Sequence, residues 1–152
     1  MAGEEKKVRV LLADDHPAVR TSLHRLLDRT NEIEVVGEAS DGEEALQMGQ
    51  DLKPDVLLLD IEMPKVDGIE VTRILHSQGS PVQILIFSAY EDEEYIQNVM
   101  EQGASGYLIK DEAPAQIIQA ILLAASGKKV ARNDLYNQGY GFSYRGFNGS
   151  LG

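Results

Sequence analysis

The sequence predicts an α/β fold: a doubly wound, five-stranded parallel sheet with five helices. Three observations lead to it. Short apolar runs alternate strictly with segments of helical period from one end of the chain to the other. The runs at 8–13, 56–59 and 83–87 are apolar except at Arg9 and Gln83 and do not alternate, as in strands covered by helices on both faces. The length, 152 residues, suits a single domain with a real core.

The elements follow in order. Residues 8–13 read as a buried strand, and a helix over 17–28 places Val19, Leu23, Leu26 and Leu27 on one face. Residues 33–39 form a second strand. Ser40 stands three residues before Glu43, a capping-box spacing that opens a helix reaching about residue 51. The third strand, 56–59, ends on Asp60. A helix over 67–76 is followed by Gly79-Ser80-Pro81, which breaks the chain before the fourth strand at 83–87. A helix over 92–102 stops at Gly103, residues 106–109 make a short fifth strand, and a last helix over 114–126 is terminated by Gly127.

Strict alternation implies right-handed crossovers, and in such sheets the ligand crevice lies outside the carboxyl ends of the strands. The chemistry-bearing residues fall on that edge. Asp14 and Asp15 follow strand one, Asp60 ends strand three, Ser88 ends strand four and Lys110 follows strand five. Singly, each has a bland explanation, since Asp caps helices and Lys is usually solvated. Together, three carboxylates converging on one crevice would repel one another unless a cation sits among them. Hard oxygen ligands with few protein contacts describe a Mg²⁺ site that keeps several waters.

The Asp14-Asp15 pair, Asp60-Ile61-Glu62-Met63-Pro64, Asp67-Gly68, Ser88-Ala89 and Gly106-Tyr107-Leu108-Ile109-Lys110-Asp111 together resemble the receiver domain of bacterial two-component response regulators. The likeness covers about residues 6–128 and implies a flavodoxin-like, CheY-like fold. Leu11-Leu12-Ala13-Asp14-Asp15-His16-Pro17 and Val35-Val36-Gly37-Glu38-Ala39 resemble the NarL/FixJ subfamily, whose receivers precede a LuxR-type helix-turn-helix. The resemblance implies Asp60 as the phosphoacceptor nucleophile toward a phosphohistidine on a sensor histidine kinase. It implies Mg²⁺ held by Asp14, Asp15, Asp60 and the backbone carbonyl of Glu62, with Asp15 nearest the metal and Asp14 acting partly through water. Lys110 and Ser88 would each meet a phosphoryl oxygen. Tyr107 would be the switch, rotating from exposed to buried as Ser88 is drawn inward. The resemblance further implies pairing into a homodimer on phosphorylation, and transcription regulation in a full-length form.

Composition limits the alternatives. The net charge of −11 argues against direct contact with nucleic acid and suits metal cations or a basic protein partner. With no cysteine, disulfides and thiolate metal sites are excluded. No apolar run is long enough to span a bilayer and no signal-sequence pattern opens the chain, so a cytoplasmic protein without membrane association is expected. His16, His24 and His76 share no predicted site and read as loop or helix-surface residues. The Glu91–Glu94 run reads as a solvated helix start. A haloacid-dehalogenase-type phosphatase would need its second carboxylate two residues after a nucleophile on the first strand, a spacing absent here. A pseudo-receiver that binds without phosphorylation is opposed by the complete acidic set.

The domain division expected is a receiver over 1–130 and, over 131–152, the start of a linker and a Gly/aromatic tail with no output domain. Residues 136–152 contain five Gly and five aromatics, with no helical stripe and no basic helix, and are expected to be flexible.

Overall fold

A computed structural model of the chain describes residues 6–128 and Val130. Ten elements alternate as expected: β1 (Val8–Ala13), α1 (Pro17–Asp28), β2 (Ile33–Ala39), α2 (Gly42–Leu52), β3 (Val56–Leu59), α3 (Gly68–Ser77), β4 (Gln83–Ser88), α4 (Glu93–Glu101), β5 (Gly106–Ile109) and α5 (Pro114–Ala125). All strand pairs are parallel, in the order β2-β1-β3-β4-β5. That order reverses direction between β1 and β3, and the loops leaving those two strands therefore diverge around a crevice.

Two cores sit on opposite faces of the sheet, and strand alternation sorts the side chains between them. Leu11, Leu57, Leu59, Ile84, Ile86 and Ile109 pack beneath α2, α3 and α4, against Ala45, Val71, Leu75, Ile96 and Val99. Val10, Leu12, Val56, Leu58, Leu85 and Leu108 face α1 and α5, meeting Leu23, Leu27, Ile117, Ala120 and Ile121. Strands buried on both faces show no polar alternation, which is why β3 and β4 read as apolar runs. The exception in β1, Arg9, turns its guanidinium to the carbonyls of Leu52 and Lys53 at the far end of the sheet, 2.9 Å from each.

The helix starts are set by capping. Asp67 and Asp92 accept the backbone N–H of Glu70 and Tyr95. At α2 the expected Ser40–Glu43 box is not the one formed. Asp41 is the cap, accepting Glu44 N–H at 2.9 Å, while the Glu44 carboxylate returns to the backbone N–H of Ser40 at 2.7 Å. The cap therefore lies one residue further along than expected, since the Asp41 carboxylate reaches the helix N–H groups, and the returning Glu44 bond goes to Ser40, the residue before the cap. Glycines 103 and 127 take the left-handed conformation at the ends of α4 and α5, as their positions implied. Past α5, Val130 pairs with Gly106 along the outer edge of β5. The expectations for the tail over 131–152 lie outside the described residues.

Candidate functional site

The crevice between the β1 and β3 ends is built from the backbone up. Asp14 N–H bonds to Ala39 O at 3.1 Å and Asp60 N–H to Ala13 O at 2.9 Å, fixing both residues at the sheet edge. Their side chains are buried, Asp14 2% and Asp60 4% exposed. One Asp14 oxygen accepts His16 N–H at 2.9 Å and lies 2.9 Å from His16 Nδ1; the other accepts Lys110 Nζ at 3.1 Å. Lys110 is brought in by its own N–H, bonded to Ser88 O at 2.8 Å, and its ammonium also stands 3.4 Å from an Asp60 oxygen. Ser88, at the end of β4, is fully buried beside them.

Charge is unevenly balanced in this space. Burial, then the neighbouring Asp14 carboxylate, push the Asp60 carboxyl above its ordinary value, and Lys110 and the Glu62 N–H only partly oppose them. For Lys110 burial works against the ammonium, but the Asp14 hydrogen bond and the charges of Asp60 and Asp14 outweigh it and hold the amine above the usual lysine range. His16 is raised by its Asp14 hydrogen bond and by Asp15. Two buried carboxylate oxygens, Asp15 Oδ1 and Asp60 Oδ2, accept no hydrogen bond, although His16 Nδ1 stands 3.1 Å from the first and Lys110 3.4 Å from the second. Ligand atoms of Asp14, Asp15, His16 and Asp60 lie within 4.8 Å of one another. Hard anionic oxygens with spare lone pairs fit an oxygen-seeking divalent cation such as Mg²⁺.

Below the cluster opens a cleft of about 740 Å³, lined in part by Asp15, Glu62, Met63, Pro64, Tyr90 and Tyr95. Tyr90 reaches across it, its hydroxyl donating to Glu62 Oε2 at 2.5 Å and its ring 5.1 Å from that of Tyr95. The Glu62 hydrogen bond pushes the Tyr90 phenol above its usual value.

Residues 10–122 match the response regulator receiver domain family. The chain belongs to that family. Curated relatives include the transcriptional regulatory protein DegU of Brevibacillus brevis, 40% identical over 123 residues, which span 81% of this chain and 52% of DegU. The nitrate/nitrite response regulator NarL of Escherichia coli is 39% identical over 121 residues, 80% of this chain and 56% of NarL. The chain thus spans little more than half the length of these relatives. Among solved structures, the signal receiver domain of NarL from Mycobacterium tuberculosis superposes with a TM-score of 0.79 at 39% identity, over 82% of this chain and all of that one. A LuxR-family two-component response regulator from Aurantimonas gives the same TM-score at 34% identity, over 87% of this chain and 94% of that one.

In this receiver Asp14, Asp15, Asp60, Ser88 and Lys110 come together at one edge, and Glu62 lies in the loop beside them, its N–H 3.3 Å from Asp60 Oδ1. Tyr107 differs from expectation. It is buried here, 3% exposed, with its hydroxyl donating to Tyr90 O at 3.0 Å. The exposed starting position is not the one observed, because β5 turns the ring into the core beside Ile96 and Val99, and the Tyr90 carbonyl satisfies its hydroxyl. His16 is a loop residue, as read, but its ring also contacts Asp14 and Asp15 of the acidic cluster. Its place directly after Asp14-Asp15 was the available signal. His24, read as helix surface, contacts Glu38 of β2 at 2.6 Å. Among the described residues no helix is long and apolar enough to cross a membrane.

Proposed function

We propose that this receiver accepts a phosphoryl group on Asp60 from a phosphohistidine of a sensor kinase. The observation that supports this best is the buried Asp60 carboxylate, which keeps one oxygen without a hydrogen bond and has Lys110 3.4 Å away. That oxygen attacks phosphorus; the O–P bond forms as the N–P bond to the histidine breaks, and the imidazole leaves with the bonding pair. Lys110 can turn from the carboxylates to an incoming phosphoryl oxygen, and the Ser88 hydroxyl to another. Asp15 and Asp60, with the Glu62 carbonyl and with Asp14 acting indirectly, would hold Mg²⁺, which when bound neutralises charge on the phosphoryl group. Asp14 suits an indirect role because both its oxygens are already engaged by His16 and Lys110. The receiver would use the phosphoryl group as a switch, catalysing only its own modification and slow hydrolysis. Mg²⁺-dependent labelling by acetyl phosphate, located by peptide mass spectrometry, tests the assignment; label on any residue but Asp60 contradicts it.

The rest of the reading comes from the family: an output that regulates transcription in a full-length form, a cytoplasmic setting, and pairing on phosphorylation. On α5, Ile117 and Ile121 are core, while Ile118 and Leu122 are only partly covered, leaving apolar surface for a second copy.

Two predictions follow from the site. Ser88→Ala should still accept the phosphoryl group, because nucleophile and cation ligands remain, but it should transmit the change poorly. Since Tyr107 starts buried, its response is expected as altered ring dynamics or a changed Tyr90 contact. Identical Tyr107 NMR signals with and without beryllofluoride in the wild type would remove it from the switch.

Phosphoryl lifetime depends on the Tyr90–Glu62 bar. Tyr90→Ala should speed hydrolysis several-fold by opening the cleft, and Tyr90→Phe should do so more mildly by releasing Glu62 to orient water. Glu62→Ala should slow hydrolysis. Phosphate release at one rate in all four proteins would show that neither side chain governs water access.

A further inference from the structure

Behind the acidic cluster, on the side of α1 and β2, runs a charged chain that phosphoryl transfer does not use. Arg20 projects from α1, and its Nη1 donates to the backbone carbonyl of Asp14 at 2.5 Å. Its Nε donates to Glu38 Oε1 at 3.2 Å. The other Glu38 oxygen lies 2.6 Å from His24 Nδ1, and His24 Nε2 lies 3.6 Å from Asp28. The Arg20 side chain is 16% exposed, so its fork is held largely out of water. His24 and then Arg20 keep the Glu38 carboxyl below its ordinary value, consistent with a charged acceptor.

The atom that Arg20 grips decides what the contact can do. The Asp14 carbonyl belongs to the planar peptide that joins Asp14 to Asp15. The Asp14 N–H is already fixed to Ala39 O of β2. That N–H belongs to the preceding peptide, so β2 holds the unit before the Asp14 Cα while Arg20 holds the carbonyl of the unit after it, and the two carboxylates branch from the ends of the peptide that Arg20 grips. A guanidinium suits this task, because it presents two donors in a rigid fork, one for the carbonyl and one for the brace. A mere tie between α1 and β2 would need only the Arg20–Glu38 pair.

We propose that Arg20, braced by Glu38, is a positioning residue that sets the orientation of the Asp14–Asp15 carboxylates and thereby the divalent-cation affinity of the cluster. This rests on the Mg²⁺ site proposed above.

The test is calorimetric titration of the 152-residue chain with MgCl₂, beside melting temperatures taken in chelator. Arg20→Met should weaken Mg²⁺ binding by about tenfold or more, the scale on which residues supporting metal ligands act. Arg20→Lys should recover part of the loss, since an ammonium can reach the carbonyl but cannot also span to Glu38. Glu38→Gln should fall between, its amide oxygen still accepting from Nε. Leu27→Ala, a core truncation on the same helix, should lower the melting temperature with little change in Mg²⁺ affinity. Should Arg20→Met fail to fold, Arg20→Lys and Glu38→Gln carry the comparison. Affinities within twofold of wild type in the Arg20 and Glu38 variants would overturn the proposal. So would an equal weakening in Leu27→Ala, which would make the effect one of stability alone. A wild-type chain that binds no Mg²⁺ would overturn the cation site itself, whereas normal wild-type binding with unaltered Arg20 variants would overturn only the positioning role.

Discussion

Asp60→Asn is expected to abolish acetyl-phosphate labelling and, in chelator, to raise the melting temperature. The first effect follows from loss of the nucleophile at unchanged shape; residual Mg²⁺-dependent labelling would sink the assignment. The second follows from electrostatics. Asp60 is buried next to Asp14, so its ionised form is disfavoured in the fold and its carboxyl titrates above its ordinary value. Below the ordinary value near 3.8 the carboxyl is neutral both folded and unfolded, and it imposes no charge penalty. As pH rises past that value toward the raised one, the unfolded chain ionises freely while the folded one resists, and stability is lost. The advantage of Asn should therefore be absent in acid and present at neutral pH. Relief of about 1 kcal/mol would raise the melting temperature by roughly 4 °C. An Asn variant no more stable than wild type at neutral pH would contradict the argument. Repulsion among the three carboxylates, taken by itself, implies that removing any one of them would help the metal-free fold. The structure restricts this. Asp14 makes hydrogen bonds to His16 and Lys110, and Asp14→Ala should lower stability by leaving a partly buried Lys110 with less compensation.

Gly42→Ala should be the most damaging small substitution near the site. A Cβ at Gly42 would sit 1.6 Å from the carbonyl oxygen of Val66 and 2.7 Å from its Cβ. The obstacle is backbone, so no rotamer relieves it. The start of α2 and the loop after Asp60 touch here: Gly42 N–H bonds to Pro64 O at 3.3 Å, and Lys65 reaches Asp41 at 3.5 Å. Alanine must push these segments apart, at a cost of about 3 kcal/mol and a melting temperature lower by roughly 10 °C. Labelling should slow as well, since the displaced loop begins at Asp60. Gly49→Ala, on the same helix, is the control. Its Cβ would meet nothing closer than Leu75 at 3.8 Å, and alanine there should be neutral or stabilise by up to about 1 kcal/mol. Similar melting temperatures for the two variants would show that the Gly42 contact is not what sets the loop.

The fold was legible in the sequence because its signals are local. Apolar runs such as Val56–Leu59 are hydrophobic whichever neighbours they acquire, and Gly103 and Gly127 end helices through their own backbone freedom. The site edge was legible for the same reason: Asp14, Asp60, Ser88 and Lys110 each adjoin a strand end, and strict alternation puts all strand ends on one side. Other features depended on residues distant in the chain. The inward Tyr107 depends on the Tyr90 carbonyl, 17 positions away. The grip of Arg20 on the Asp14 carbonyl depends on Glu38, 18 positions from Arg20 across α1 and β2. The partition among carboxylates, with Asp14 engaged and Asp15 and Asp60 each keeping an oxygen without a hydrogen bond, depends on where Lys110 arrives from β5, 96 positions from Asp14. Residue type and spacing along one chain determine which groups reach the edge. Orientation, burial and the choice of partner are settled only when the sheet brings separate segments within hydrogen-bonding distance, because those energies vary over ångströms.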